Sequence, residues 1–337
     1  MTTLLLVLVV LLTGAFAFLN GARDVSNAVA VTVRARSLTP TVAVGLAALF
    51  NLIGALISTP FALAFSDRLL GIPATRNELP LLLAGVLSAC LWGAYQWRRG
   101  LPSSSTHALV GGLVGAAAAS TLLGHPVISG LGASLWLQVF LPLLVSPVIA
   151  FTAALLLTYP AVWAARYSQP SLVHLRARRA LSVSTAAVAF GHGLQDAQRS
   201  TTVILLALAA SGAAADGGQP GWVGIFIAVL LTGGTLVGGW RISHTLGFRL
   251  VRVDPLRGFV AQLLSSAMLF IGAIGLHLPL STTHTVTSAI VGTGFGQRFA
   301  AMDRRTWLRV LAAWVVTPLA TAAAGAVFFL ALSPVTG

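Results

Sequence analysis

The chain is built from apolar segments, each close to the length that crosses a lipid bilayer as a helix, and the breaks between them carry Arg, Pro, Gly or Asp. About 20 apolar residues in a row are enough for one helical crossing. The ten segments are residues 3–33, 38–66, 79–97, 102–123, 130–158, 181–210, 219–240, 258–276, 279–297 and 309–332. Only 8% of the 337 residues are charged, whereas a soluble protein has roughly a quarter. The sequence therefore predicts an all-α, polytopic membrane protein.

The composition excludes several classes of protein. The formal net charge is +13 and all 20 basic residues are arginine. These arginines lie between the apolar segments, so they indicate membrane orientation and not a nucleic-acid partner. Cys90 is the only cysteine, which excludes disulfides and cysteine-rich metal sites. No Lys or Arg precedes the first apolar segment, so the positive region of a signal peptide is missing and we predict a retained first helix.

The arginines also predict how the segments are oriented. If all ten segments cross and the N-terminus lies outside, sixteen arginines fall on the cytoplasmic side, and only Arg68 and Arg76 fall on the outer side. This bias follows the positive-inside rule and predicts a multi-pass protein of the plasma membrane with both termini outside. Five crossings per half then make residues 1–165 and 181–337 inverted repeats. The arginine-rich residues 166–180 become the cytoplasmic linker between them.

Two polar stretches inside apolar segments repeat each other. AFLNGARDVSNAVA (Ala17 to Ala30) aligns without a gap on AFGHGLQDAQRS (Ala189 to Ser200), and this places Asp24 on Asp196, 172 residues later. A carboxylate in a membrane segment is costly and usually marks an ion or substrate path. Two carboxylates at matching positions in two halves are typical of a transporter whose site lies at the repeat interface.

The first segment of each half is longer than the membrane requires. Residues 3–33 and 181–210 would each be about 45 Å long as an unbroken helix, against an apolar core of about 30 Å. Each segment has its glycine and aspartate near the middle. We therefore predict that both helices are broken there, exposing backbone groups at membrane depth where they can bind an ion.

A second pair of motifs points to an anion site. LPSSSTHALVGGLVG (Leu101 to Gly115) matches LPLSTTHTVTSAIVG (Leu278 to Gly292) at an offset of 177 residues. Proline followed by Ser and Thr is typical of a helix start, where hydroxyl groups cap free backbone amides. Such an N-terminus attracts anions. The candidate anion ligands are Ser103, Ser104, Ser105, Thr106, Ser281, Thr282 and Thr283.

These four motifs together resemble the inorganic phosphate transporter (PiT) family. GARDVSNA (Gly21 to Ala28) is similar to the family's duplicated signature, HGLQDAQRS (His192 to Ser200) is similar to its bacterial second-half form, and the two hydroxyl motifs resemble the family's paired hairpins. The resemblance implies a cation-coupled phosphate symporter in which broken helices and hairpins meet at a central site. The family usually has Asn before each Asp, so Arg23 and Gln195 mark a divergent, bacterial-type member.

The resemblance also suggests how the two site functions are divided. Arg23 and Gln195 join the hydroxyl groups as candidate substrate ligands, since a guanidinium matches a tetrahedral oxyanion. Arginine offers no acceptor to Na⁺, so we expect protons in preference to sodium as the coupling ion. The alternative for the aspartates is a structural role in ion pairs with the neighbouring arginines. The candidate coupling-cation residues are Asp24, Asp196, Asn20, Asn27 and His192.

No feature of the sequence indicates an enzyme. It has no Walker-type phosphate loop, no cluster of metal ligands and no cytoplasmic domain large enough for ATP hydrolysis. We therefore expect no cofactor, and energy from co-transported H⁺ or Na⁺. A sulfate permease of the same family and an anion channel are the alternative functions. The sequence leaves open whether the substrate enters as a metal–phosphate complex and whether the protein is a homodimer.

Overall fold

The computed structural model describes residues 1–58, 78–125, 136–213, 220–276, 278–295, 297 and 302–336, and no strand occurs within these ranges. Their α-helices are α1 (Thr2–Arg34), α2 (Pro40–Ile57), α3 (Glu78–Arg99), α4 (Ser105–Leu122), α5 (Leu141–Ala165), α6 (Pro170–Ser211), α7 (Gly221–Val237), α8 (Trp240–His244), α9 (Pro255–Phe270), α10 (Thr282–Gly294) and α11 (Arg304–Thr336). Short π-helical turns adjoin α5 (Trp136–Phe140), α8 (Thr245–Leu250) and α9 (Ile271–Gly275). The predicted all-α class is confirmed.

Several of the helices are long and apolar enough to cross a membrane. Six meet this description, namely α1, α2, α3, α5, α11 and α9 with its π turn, and α7 with α8 makes a seventh if the bent pair is one span. The helices that start at the hydroxyl motifs are shorter: α4 has 18 residues and α10 has 13. At about 1.5 Å per residue, α10 is about 20 Å long and shorter than the apolar core of a bilayer.

Parts of the sequence prediction lie outside the described residues. These parts are the end of the second apolar segment (59–66), the start of the fifth (130–135), and the arginines Arg68, Arg76 and Arg298. The arginine-rich linker is described, and it contains the start of a helix, since α6 begins at Pro170.

The predicted break of the two long helices is wrong. Helix α1 runs without interruption for 33 residues and α6 for 42 residues, each through its glycine and aspartate. Their backbone groups therefore stay bonded within the helix, and the side chains alone supply the polar groups at membrane depth. The break that the described chain does contain lies between α7 and α8, where the axis bends by 57° at Gly238.

The glycines of the aspartate motifs serve close helix packing. A Cβ atom at Gly21 would lie 2.0 Å from the carbonyl oxygen of Leu231, and one at Gly193 would lie 2.2 Å from that of Asn51. Contacts this short are possible only without a side chain. They press α1 against α7 and α6 against α2, so each aspartate helix packs on a helix of the other half.

The two helices that begin at the hydroxyl motifs also pack against helices of the other half. Helix α4 packs against α11, with Gly115 facing the carbonyl of Ala322, and α10 packs against α5, with Gly292 facing the carbonyl of Phe151. The two glycines are the last residues of the two matching motifs. The same kind of contact therefore occurs once in each half. These contacts also place the N-termini of α4 and α10 in the interior, beside the aspartate helices.

Candidate functional site

The carboxylate of Asp24 joins the two hydroxyl motifs. Ser105 donates from its hydroxyl to Oδ2 at 3.2 Å, and Thr283 donates from its hydroxyl to Oδ1 at 3.3 Å. The side-chain amide of Asn27 donates in turn to Thr283 Oγ1 at 3.2 Å. One hydroxyl from each half of the chain therefore meets a single buried carboxylate.

Both hydroxyl motifs are capped helix starts with the same local geometry. The side chain of Ser104 accepts from the backbone N–H of His107 at 3.1 Å, and that of Ser281 accepts from the N–H of His284 at 3.2 Å. The capping serines are thus occupied by their own helices, as serine at an N-cap commonly is. Because the positive ends of two helix dipoles meet near Asp24, this region favours negative charge.

The second carboxylate lies across a histidine from the first. His192 Nε2 is 3.3 Å from Asp196 Oδ2 and 3.9 Å from Asp24 Oδ2. The three side chains are buried, and one ligand atom from each lies within 4.8 Å of the others. Asp196 also forms an ion pair with Arg199 through its other oxygen, Oδ1. Among the His, Cys, Asp and Glu side chains of the described residues, these three form a group that could share a cation.

A chain of hydrogen bonds fixes the tautomer of His192. Thr235 donates its hydroxyl to the carbonyl of Leu231 at 2.9 Å and accepts from Asn51 Nδ2 at 2.7 Å. The oxygen of the Asn51 amide therefore faces His192 Nδ1, at 3.0 Å. An oxygen there accepts a hydrogen bond, so Nδ1 carries the proton in the neutral ring.

The fixed tautomer leaves three acceptors facing one another. Neutral His192 has a bare Nε2, and both Asp24 Oδ2 and Asp196 Oδ2 are acceptors as well. A cavity of about 10 Å³ adjoins Asp24, Asn51 and His192, which is about the room that one water needs. A proton on Nε2 would give both carboxylates a donor.

Arg23 is a buried positive charge held against the first hydroxyl motif. Its side chain is 1% exposed, and its Nη2 donates to Ser103 at both the backbone carbonyl (2.8 Å) and the hydroxyl (3.0 Å). A Cβ atom at Gly93 would lie 2.8 Å from Arg23 Nη1, so a glycine of α3 makes room for the guanidinium. Arg23 Nε has no hydrogen-bond partner among the described residues. The Nε–H of Arg23 is therefore available to donate a hydrogen bond to an anion.

Gln195 occupies the matching position in the second half. Its Nε2 donates to the carbonyl of Leu269 at 3.1 Å, and its Oε1 accepts from the N–H of Leu280 at 3.3 Å. Leu280 corresponds to Ser103 in the motif alignment. The residue before each aspartate thus forms a hydrogen bond with the hydroxyl motif of the same half, Arg23 with Ser103 and Gln195 with Leu280. Because both the nitrogen and the oxygen of its side-chain amide are hydrogen-bonded, Gln195 positions the start of the second hydroxyl motif in this structure.

Several predicted residues keep unpaired polar atoms in the interior. Among the described residues, no partner is found for either polar side-chain atom of Asn20, for Asn27 Oδ1 or for Thr282 Oγ1. Thr106 is buried beside them in the first turn of α4. Buried polar atoms without partners are costly. These atoms are the ligand groups that remain available to a bound ion.

Sequence reasoning missed the residues that orient His192. Asn51 lies in the second apolar segment and Thr235 in the seventh, and neither belongs to a repeated motif. The available signal was the side-chain amide of Asn51 within a long apolar run, because a lone polar residue in a membrane segment usually has a partner there. The identity of that partner depends on how α2 packs against α6 and α7.

The motif histidines form a stack on the other side of the hydroxyl motifs. The ring centroids of His107 and His284 are 4.5 Å apart, and those of His284 and Trp314 are 4.0 Å apart. Trp314 also donates from its indole nitrogen to the carbonyl of Pro102 at 3.0 Å. This stack ties both hydroxyl motifs to α11 and does not contact the carboxylates in any described hydrogen bond.

Comparison with known proteins identifies the family of the chain. The model of the phosphate transporter family matches residues 20–325. A probable low-affinity inorganic phosphate transporter of Bacillus subtilis is 32% identical over 331 residues, 98% of each chain. A relative with the same description from Rhizobium meliloti is 37% identical over 319 residues, 94% of this chain and 93% of the relative.

One solved structure has the same fold. It is described as the sodium-dependent phosphate transporter, with a TM-score of 0.79 and 19% sequence identity, over 98% of this chain and 99% of that one. At this identity the likeness concerns the fold. The family match and the relatives decide the classification, and they confirm the resemblance seen in the motifs. The chain belongs to the phosphate transporter family, whose members are transporters and not enzymes.

Proposed function

We propose that this protein is a secondary active symporter that takes up inorganic phosphate together with protons. Phosphate is the substrate in the descriptions of the family and of the bacterial relatives. The observation that carries the proton coupling is the orientation of His192, whose Nε2 faces two carboxylates. A proton resolves this arrangement of acceptors without needing any further ligand.

The anion is proposed to bind between the hydroxyl motifs and Arg23. The two helix N-termini favour negative charge, and the buried guanidinium of Arg23 adds a fixed positive charge with an unpaired Nε among the described residues. The unpaired hydroxyl of Thr282 supplies a donor from the second half. This set combines charge, backbone amides and hydroxyl groups, which together suit a tetrahedral oxyanion.

The hydroxyl groups also provide a physical reason for coupling. Ser105 and Thr283 each have one hydroxyl proton, and each proton is donated to Asp24. An incoming phosphate needs those same protons and would be repelled by the carboxylate. A proton bound at Asp24 or His192 lowers that repulsion and releases the hydroxyls. Binding of the cation and of the anion therefore favour each other.

The membrane potential makes such coupling necessary. A dianion that enters a negative cell alone is opposed by about 4.6 kcal/mol per 100 mV, at about 2.3 kcal/mol per charge. The buried charges of Asp24, Asp196, Arg23 and Arg199 balance when His192 is neutral, so the empty site contributes no excess positive charge. A co-transported cation offsets the charge of the substrate. This favours a symporter over a channel.

Protons suit this chain better than sodium does. Sodium needs several oxygen ligands, but Arg23 has no acceptor, and the oxygen of Gln195 is bonded to Leu280 N. The solved structure described as sodium-dependent has the same fold at 19% identity. Its coupling ion therefore does not transfer to this chain. The oxygens of Asn20 and Asn27 are the sodium ligands that this chain would still offer.

The proposed function implies a particular arrangement in the membrane. We infer inverted repeats at residues 1–165 and 181–337, a cytoplasmic linker at 166–180, and both termini outside a plasma membrane. The reciprocal packing of α1 with α7 and of α6 with α2 supports the repeats. The arginine bias of the sequence supports the orientation.

Purified protein in liposomes tests this proposal. We expect accumulation of labelled phosphate when a proton gradient is imposed, and none when a sodium gradient replaces it. Counterflow of labelled phosphate should occur, since a symporter exposes one site to one side at a time. Sodium-dependent uptake that ignores the pH gradient would overturn the proton assignment. Uptake of sulfate but not phosphate would favour the sulfate permease, and uptake without counterflow would favour the channel.

A further inference from the structure

The two equivalent carboxylates of the site have different partners. Asp24 accepts from two hydroxyl groups and has no arginine partner within salt-bridge distance in the described structure. Asp196 is paired with Arg199, three residues later in the same helix. The residue three positions after Asp24 is Asn27, which donates to Thr283 instead. The repeat therefore has a built-in cation in its second half only.

Arg199 is held in place by more than the carboxylate. Its Nη2 bonds Asp196 Oδ1, and its Nη1 donates to the carbonyl of Leu280 at 3.3 Å. The side chain is 3% exposed. The guanidinium of an arginine in a protein is charged, so Arg199 places a fixed positive charge beside Asp196.

The pairing leaves one oxygen of Asp196 for the shared site. Oδ1 is engaged by Arg199, and Oδ2 faces His192. The charged and titratable side chains near Asp196 are His192, Arg199, Arg23, Asp24 across the histidine, and His107 beside Arg199. A second mobile cation at Asp196 would meet the charge of Arg199 directly. The carboxylate without an arginine at salt-bridge distance in the described structure is Asp24.

We propose that Arg199 is a tethered cation that permanently neutralises the second carboxylate, so that each cycle transports one coupling cation, bound between Asp24 and His192. The inference rests on the proposed symport of phosphate and adds its stoichiometry. A chain with Asn at both positions 27 and 199 would have two carboxylates without an arginine partner. Such a chain would need two mobile cations to reach the same charge.

The experiment measures cations per phosphate in liposomes that contain the full-length protein. The membrane potential is set to zero with valinomycin and equal K⁺, and the logarithm of the accumulation ratio of the dianion HPO₄²⁻ is plotted against the imposed pH difference. The slope is the number of coupled protons. We expect a slope of one for the wild type and of two for Arg199→Asn, which copies Asn27 of the first half. A slope of two in the wild type overturns the inference.

Two further variants keep the test decisive. Arg199→Lys retains the tethered charge and should keep a slope of one; a slope of two would contradict our proposal even if Arg199→Asn fails to insert. Arg257→Gln is the matched control, since Arg257 pairs with Asp254 at the same three-residue spacing but is partly exposed and outside the site. It should leave the slope at one. An Arg199→Asn protein that transports with a slope of one would also overturn the inference.

The outcome separates this inference from the proposed function. A wild type that accumulates no phosphate under a proton gradient contradicts the proton symport itself. A wild type that accumulates phosphate with a slope of two leaves the symport intact and contradicts only the tethered cation. Accumulation that follows a sodium gradient with a slope of one would overturn proton coupling and keep the role of Arg199.

Discussion

His192 Nε2 lies 3.3 Å from Asp196 Oδ2, one turn away on the same helix, and the hydrogen bond from His192 Nδ1 to Asn51 turns Nε2 toward that oxygen. A neutral imidazole and a carboxylate in this orientation repel through their lone pairs, whereas an imidazolium would donate to the carboxylate. The pair is therefore suited to gain and lose one proton during transport. Asn51 acts on the site only through the tautomer that it selects.

The first prediction concerns His192→Gln. Glutamine has a similar reach and can bond Asn51, but it does not bind a proton near neutral pH. We expect accumulation of phosphate driven by a proton gradient to fall by at least about tenfold, which is a loss of about 1.4 kcal/mol of coupling. Counterflow of phosphate should persist, because it needs no net proton movement. Accumulation at the wild-type level would show that His192 carries no coupling proton.

The second prediction concerns the two carboxylates. Asp24→Asn and Asp196→Asn should each abolish proton-driven accumulation, the first by removing the cation site and the second by leaving Arg199 as an unpaired buried charge. Insertion of Asp24→Asn should be normal, since loss of a carboxylate lowers the cost of placing the helix in lipid. The measurement is uptake normalised to protein in the liposome. Asp254→Asn, outside the site, is the control and should transport normally.

The repeats made the centre of the site predictable from sequence. Asp24 and Asp196, and the two hydroxyl motifs, could be recognised because the second copy confirms the first at a nearly constant offset. Their meeting at one place then follows from the geometry of inverted repeats. The contact of Ser105 and Thr283 with the same carboxylate agrees with that expectation.

Other parts of the site could not be predicted, since they depend on which helices touch. Asn51 and Thr235 are single polar residues. Asn51 forms hydrogen bonds with His192 and with Thr235, which follow it in the chain by 141 and 184 residues. The glycines of the aspartate motifs were interpreted as helix breaks, but Gly21 and Gly193 are needed for close packing. A glycine has the same local signature in both roles, so only tertiary structure distinguishes them.

The third prediction separates anion ligands from helix caps. Thr282 has an unpaired buried hydroxyl, so Thr282→Val should raise the KM for phosphate by about 5- to 150-fold, the equivalent of a hydrogen bond of about 1–3 kcal/mol. Its thermal stability should not fall. Ser104 caps α4, so Ser104→Ala should cost about 1 kcal/mol of stability. Kinetics in liposomes and thermal unfolding in detergent measure both effects, and a Thr282→Val protein with an unchanged KM would remove this residue from the anion site.

The last prediction tests the packing that positions the carboxylates. A Cβ at Gly21 would lie 2.0 Å from the Leu231 carbonyl and one at Gly193 2.2 Å from the Asn51 carbonyl, whereas one at Gly45 would meet nothing within 4 Å. Alanine favours a helix by up to about 1 kcal/mol over glycine, but overpacking against backbone costs about 1–3 kcal/mol or more. Gly21→Ala and Gly193→Ala should therefore unfold at lower temperature, and Gly45→Ala should unfold at the same or a higher temperature. Gly193→Ala should also impair proton-driven uptake, because it displaces Asn51 from His192. Equal stability of all three variants would contradict the close helix contacts on which the site depends.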